Sequence, residues 1–236
     1  MLVERGLAES QKKAQSMILA GEVEVDGQKA EKAGVELAES CHIEVRSRSQ
    51  KYASRGGLKL EGALEEFHVQ AGGLVCLDIG SSTGGFTDCL LQRGASRVYA
   101  VDVNTDQLAW KLRNDERVIA IRKNAKELDA ADLPEQADLI VVDVSFISVR
   151  RVLPGAIACA KQGAGFLILV KPQFELGRKD VGEGGIVRDA AMQERAAEMV
   201  RAEAEKLGLA GIGVAPSRLP GMEGNQEDFL HARKSG

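Results

Sequence analysis

Residues 76–88 read CLDIGSSTGGFTD, and residues 98–103 read VYAVDV. The first stretch is an apolar run ending in Asp78 and Gly80. A Gly-rich turn through Gly84 and Gly85 follows, then the apolar, helix-like FTDCLL. The second stretch is another apolar run, closing on Asp102. A strand, a tight turn, a helix and a second strand with an acid at its tip form a layout that cradles a nucleoside cofactor, the second acid reaching the ribose hydroxyls. The turn reads GxxxGG from Gly80, not GxGxxG. It therefore lacks a dedicated pyrophosphate cradle, which favours S-adenosylmethionine (SAM), a nucleoside without phosphate, over NAD. Gly-rich turns after strands also serve purely structural ends, but the two stretches together favour the cofactor. The predicted cofactor contacts are Asp78, Gly80, Ser82, Gly84, Gly85, Phe86 and Asp102.

Outward from this unit, strand–helix repeats continue, the signature of a doubly wound, Rossmann-like α/β sheet. Apolar runs predict strands at 74–79, 97–103, 117–122, 137–143 and 164–170, with closing strands at 209–215 and 228–233. Periodicity predicts helices at 58–68, 84–93, 105–114, 149–161 and 188–207. KPQFELGRKDVGEGGIV, at 171–187, reads as a Gly-rich charged loop. A loop that long inside a compact domain usually has a function.

Residues 1–46 read as a small α+β unit. LAESQKKAQSMILAG spaces Leu7, Ala14, Met17 and Ile18 as a helix does, with a cap at Ser10 and a stop at Gly21. EVEVDGQKA alternates with period two around an Asp26-Gly27 hairpin turn, and IEVR at 43–46 is a further short strand. The expected boundary is a linker at 47–54, with the larger domain at 55–236. Across 45–60 stand Arg46, Arg48, Lys51, Arg55 and Lys59 without an acid.

Open α/β sheets bind ligands beyond the carboxyl ends of their strands. That edge carries Asp78, Asp102, Asp143 in LIVVDVSFIS and Lys171 in LILVKPQFE. The last two each close a strongly apolar strand with a charge, and a buried charge needs a partner. One outcome is a purely structural Asp143–Lys171 ion pair. The other is a catalytic pair beside the cofactor's methyl group, able to orient or deprotonate an alcohol. Asn124 follows the third strand, where it either touches a bound adenine or makes a turn. Phe146 either caps the core or walls a substrate pocket. LPGMEGN at 219–225 is either a plain turn or a rigid loop presenting Glu223. Trp110 is expected to pack a helix against the sheet.

Composition removes several classes. With 44% hydrophobic and 28% charged residues, the chain is an ordinary globular one. Aromatics at 4% are too sparse for broad stacking on single strands, and a net charge of −4 confines any nucleic-acid contact to a local patch. Cys41, Cys76, Cys89 and Cys159 are far apart, with no CxxC, and read as core residues in a reducing compartment. No Ser-His-Asp arrangement is apparent around His42, His68 or His231, and no metal is expected. Absence of an apolar leader or an apolar run of about 18 residues predicts a cytoplasmic protein without a membrane partner.

These blocks resemble a known family. YASRGGLKL, CLDIGSSTGGFTDCLLQRGA, VYAVDVNTDQLAWKLRND, DVSFIS, VKPQFELGR, GGIVRD and PGMEGN are similar to the TlyA family of haemolysin A or FtsJ-like ribosomal RNA methyltransferases. LAESQKKAQSMILAGEVEVDGQ resembles the S4 RNA-binding module. The resemblance implies a Lys-Asp-Lys-Glu tetrad at Lys59, Asp143, Lys171 and Glu223, with Asp143 also facing the cofactor. It implies SAM-dependent methylation of a ribose 2′-hydroxyl of ribosomal RNA, at cytidine, with ribosomal RNA or ribosomal subunits as partners. Lys12, Lys13, Arg46, Arg48, Lys51 and Arg55 would contact the RNA backbone. The rivals are an NAD oxidoreductase, disfavoured by the missing GxGxxG, a membrane-active haemolysin, and a non-catalytic RNA-binding factor.

Overall fold

The computed structural model describes residues 1–235 except 9, 20, 31, 36, 39–40, 46–50, 178–179 and 222–223. The chain divides into two compact units, Met1–Lys51 and Tyr52–Gly236.

The first unit starts with α1 (Gln11–Leu19), where Ser10 Oγ accepts from the Lys13 amide. Strands β1 (Val23–Val25), β2 (Gln28–Lys29) and β3 (Ile43–Val45) form an antiparallel sheet in the order β2-β1-β3. Asp26 and Gly27 both take positive φ, 49° and 82°, as a type I′ hairpin turn requires. Leu2, Ala14, Met17 and Val23 make a small core of their own.

The second unit holds a seven-stranded sheet. Its strands are β4 (Val75–Ile79), β5 (Arg97–Asp102), β6 (Val118–Arg122), β7 (Ala137–Val142), β8 (Ala160–Val170), β9 (Leu209–Pro216) and β10 (Asp228–Lys234). The order is β6-β5-β4-β7-β8-β10-β9; β10 runs antiparallel to both its neighbours and the other pairs are parallel. Period-two alternation distributes side chains to two cores. From β8, Phe166 and Ile168 join α5 (Leu153–Ala158) and α7 (Ala190–Lys206) through Leu153, Ala156, Val200 and Ala204. Leu167 and Leu169 join α2 (Gly56–Glu66) and α3 (Gly85–Gln92) through Leu60, Leu64, Phe86 and Leu90.

Three elements depart from expectation. The helix predicted at 105–114 breaks into a 3-10 turn, Thr105–Gln107, and α4 (Trp110–Arg113). Asp102 takes the Asn104 amide and Asn104 takes the Asp106 amide, so local side-chain acceptors win the first turn. Leu108 and Leu112 are buried, while Trp110 between them is 63% exposed, so it does not pack on the sheet as expected. The helix predicted at 149–161 is a 3-10 turn at Val149–Arg151 followed by the short α5, and β8 starts at Ala160. Gly163, at φ 74°, lies within the register irregularity that lets β8 start so early. The segment at 171–187 is not featureless: α6 (Pro172–Glu175) and a 3-10 turn at Glu183–Gly185 lie in it.

Candidate functional site

The turn after β4 is built on close backbone approach. Gly80 takes φ 88°, and a Cβ there would lie 2.3 Å from the Asp143 carbonyl oxygen. Gly84 takes φ 93°, and a Cβ there would strike Leu112 and Leu108. Gly85 lies against Ser54 and Gly57 at the start of α2. Only glycine fits these positions, which places bare backbone at the N-terminus of α3.

Asp78 is completely enclosed; its Oδ2 takes the Thr87 hydroxyl at 2.6 Å. Burial pushes its pKa up to about 7 against the opposing hydrogen bonds from Thr87. It is tied to Thr87 of α3, and its Oδ1 takes no donor among the described residues. Asp102, at the tip of β5, takes the Ser82 amide at 2.9 Å on Oδ2 and the Asn104 amide at 2.9 Å on Oδ1. Ser82 itself is exposed at φ 47°. Phe86 is buried, its ring 6.1 Å from Phe229, so only its backbone is available to a ligand. Asn124 accepts from the Lys126 amide, the turn role. Its side-chain NH₂ is left for other use.

Two lysine–carboxylate pairs stand at the same sheet edge. Lys171 Nζ lies 2.5 Å from Asp143 Oδ1 and donates to Ser145 Oγ at 2.9 Å. The contact with Asp143 is an ion pair. Lys59, on α2, donates to Glu227 Oε2 at 2.5 Å, with both residues buried. Register explains the meeting. Asp228 pairs with Val170, so Glu227 and Lys171 are the next residues along that ladder. Gly221 lies over Glu227, where a Cβ would be 2.6 Å from Oε1.

Glu227, which the sequence reading did not single out, is the acid that meets Lys59. Glu223, predicted for the role, lies outside the described residues, as do Arg46 and Arg48. Lys12, Lys13, Lys51 and Arg55 are exposed.

The exit loops of β7 and β8 are fastened together by Glu175, which is buried. Its Oε1 takes the Val149 amide at 2.7 Å, and its Oε2 takes the Ser148 hydroxyl at 2.6 Å and Arg150 Nε at 3.1 Å. Phe146, at φ 64° and 93% exposed, stands 5.4 Å from the Phe174 ring. It is therefore no core cap. A phenylalanine held exposed in the left-handed region costs about 1–3 kcal/mol, and such strain clusters at functional sites.

The FtsJ-like methyltransferase profile matches residues 52–234, and the S4 domain profile matches residues 1–40. The chain belongs to the FtsJ-like methyltransferase family. Within it, the chain is 46% identical over 234 residues to the 16S/23S rRNA (cytidine-2′-O)-methyltransferase TlyA of Mycobacterium tuberculosis, covering 98% of this chain and 87% of that one. It is 41% identical to Hemolysin A of Brachyspira hyodysenteriae, covering 96% and 95%. A solved structure described as a hemolysin from Streptococcus thermophilus superposes with a TM-score of 0.77 at 38% identity, covering 99% and 86%. The fold of the second unit is thus that of FtsJ-like methyltransferases, and the resemblance read from the sequence holds. Among the described residues no helix is long and apolar enough to cross a membrane.

Proposed function

We propose that this FtsJ-like protein transfers a methyl group from SAM to a ribose 2′-hydroxyl of ribosomal RNA, at a cytidine. The observation that carries the proposal is the pair of lysine–carboxylate contacts, Lys171–Asp143 and Lys59–Glu227, at the edge where the glycine turn ends. The name of the M. tuberculosis relative supplies the cytidine and the ribosomal substrate.

The chain's residues fit SAM. The turn through Gly80, Gly84 and Gly85 admits a ligand against backbone, and Asp102 offers carboxylate oxygens to ribose hydroxyls. When bound, SAM supplies a methyl group on a cationic sulfur. Lys171, anchored by Asp143 and Ser145, donates to the 2′-oxygen and stabilises the negative charge that builds there. The 2′-oxygen so held would accept that methyl group, and its own proton would pass to solvent. Glu227 fixes the ammonium of Lys59 beside the same oxygen, and much of the rate comes from this positioning. Phe146 walls the acceptor side. Lys12, Lys13, Arg46, Arg48, Lys51 and Arg55 contact the RNA backbone, and the S4 module captures the substrate. A protein of this activity works where ribosomes are, in the cytoplasm.

Lys171→Ala tests the proposal, with tritiated methyl transfer to ribosomal RNA as readout and circular dichroism as folding control. Transfer should be lost while SAM binding persists. A folded variant that works at the parental rate makes Lys171 merely the ion-pair partner of Asp143.

A further inference from the structure

Beside Phe146, away from Lys59 and Glu227, lies a cavity of about 670 Å³. Its walls include Lys126, Phe146, Arg151, Gln173, Phe174 and Glu203. It sits at the α7 side of the sheet, whereas the Lys59–Glu227 pair sits at the α2 side. The exit loops of β7 and β8, fastened by Glu175, stand between the two.

Three features of the lining set what it could hold. Lys126 and Arg151 are exposed and have no carboxylate partner among the described residues. Arg150 differs, because its charge is consumed by Glu175, and Glu203 meets Lys206 at 3.6 Å. Gln173 offers a side-chain amide to the same space. The Phe174 ring lines the space beside the exposed ring of Phe146. Two cations without partners, an aromatic face and an amide acceptor together match a nucleotide: phosphate, base plane and base N–H.

We propose that this cavity seats the nucleotide adjoining the methylated one in the RNA strand. Its base packs on Phe174 and gives an N–H to Gln173, and its phosphate lies on Arg151 and Lys126. The inference rests on the methyl-transfer reading, since it is the reactive ribose at Lys171 that brings the neighbouring nucleotide over the Phe146 divide. An RNA strand crossing the sheet edge is then gripped on both sides of the reacting sugar, which fixes the 2′-oxygen more firmly than one nucleotide could.

The experiment uses the full chain and ribosomal subunits lacking the methyl group. The variants are Lys126→Gln with Arg151→Gln, and separately Gln173→Ala. Neutralising both cations should raise KM for the subunit about tenfold, the scale set by removing charge-assisted hydrogen bonds. It should lower kcat far less, leave SAM affinity by calorimetry unaltered, and shallow the salt dependence of RNA binding by about 1 to 2 in log–log slope. Gln173→Ala should raise KM with the parental slope. Parental KM in both folded variants, with a parental slope in the first, overturns the seat and leaves the methyl-transfer reading standing. Failure of the unaltered protein to methylate ribosomal RNA overturns the reading and the seat together.

Discussion

Glu227 and Lys59 bury a carboxylate and an ammonium against each other, with side chains 3% and 11% exposed. Removing one partner of such a pair strands the other charge, at a cost of roughly 3–5 kcal/mol. Glu227→Ala should therefore lower stability by about that amount in a denaturant titration. Glu227→Gln, which preserves shape, should fold and lose methyl transfer. Glu223→Gln should transfer methyl at a rate near the parental one; loss of transfer in that variant, with Glu227→Gln active, would reverse the two roles. The sequence does hold a signal for Glu227. It opens the apolar DFLHA run just as Asp143 and Lys171 close theirs. A charge at the end of a run marks the binding edge only for parallel strands. β10 runs the other way, so its beginning shares the edge where parallel strands finish. Antiparallel direction is a tertiary fact, and no spacing in the chain announces it.

Among the elements, the turn from β4 into α3 carries its own titration. Asp78 has an ordinary value of 3.8 and is raised by burial to about 7 in the fold. The folded state then holds a proton that the unfolded chain has released. Its stabilisation is complete below the ordinary value and disappears as pH rises through about 7. Thermal denaturation across this range should show the protein weakening, and Asp78→Asn, which carries no charge, should flatten the trend. An equal slope in the variant would place the titration elsewhere. This turn was legible in the sequence because its glycines and flanking apolar runs are local signals. So were the strands with β-branched cores, such as VVDV and LILV. The helix at 105–114 was not, because Asp102 and Asn104 compete for its first amides and only the folded turn brings them there. Its anchors, Leu108 and Leu112, still keep the expected spacing. Trp110 had the right period for neither and stayed outside.

On the scale of the molecule, each unit has a core of its own. Deleting residues 1–51 should leave a folded protein whose SAM affinity by calorimetry is near the parental one, while RNA affinity falls. Glutamine at Lys12 and Lys13 in the full chain should shallow the salt dependence of RNA binding by about 0.7 for each phosphate no longer neutralised. A filter-binding slope that does not change would show that α1 leaves phosphate alone. The position of β10 between β8 and β9 also sets an order of assembly. β9 is made first on the ribosome, yet among the described strands it pairs only with β10, which is made later. Until residues 228–234 emerge, β8 presents an open, largely apolar edge along most of its length, and β9 has nothing to join. Synthesis and assembly thus run in opposite senses over this stretch. A nascent chain stopped at Pro216 should be held by chaperones that recognise exposed strand edges, and it should lack the acid that restrains Lys59. The arrival of β10 closes the sheet and brings Glu227 to Lys59 in one event.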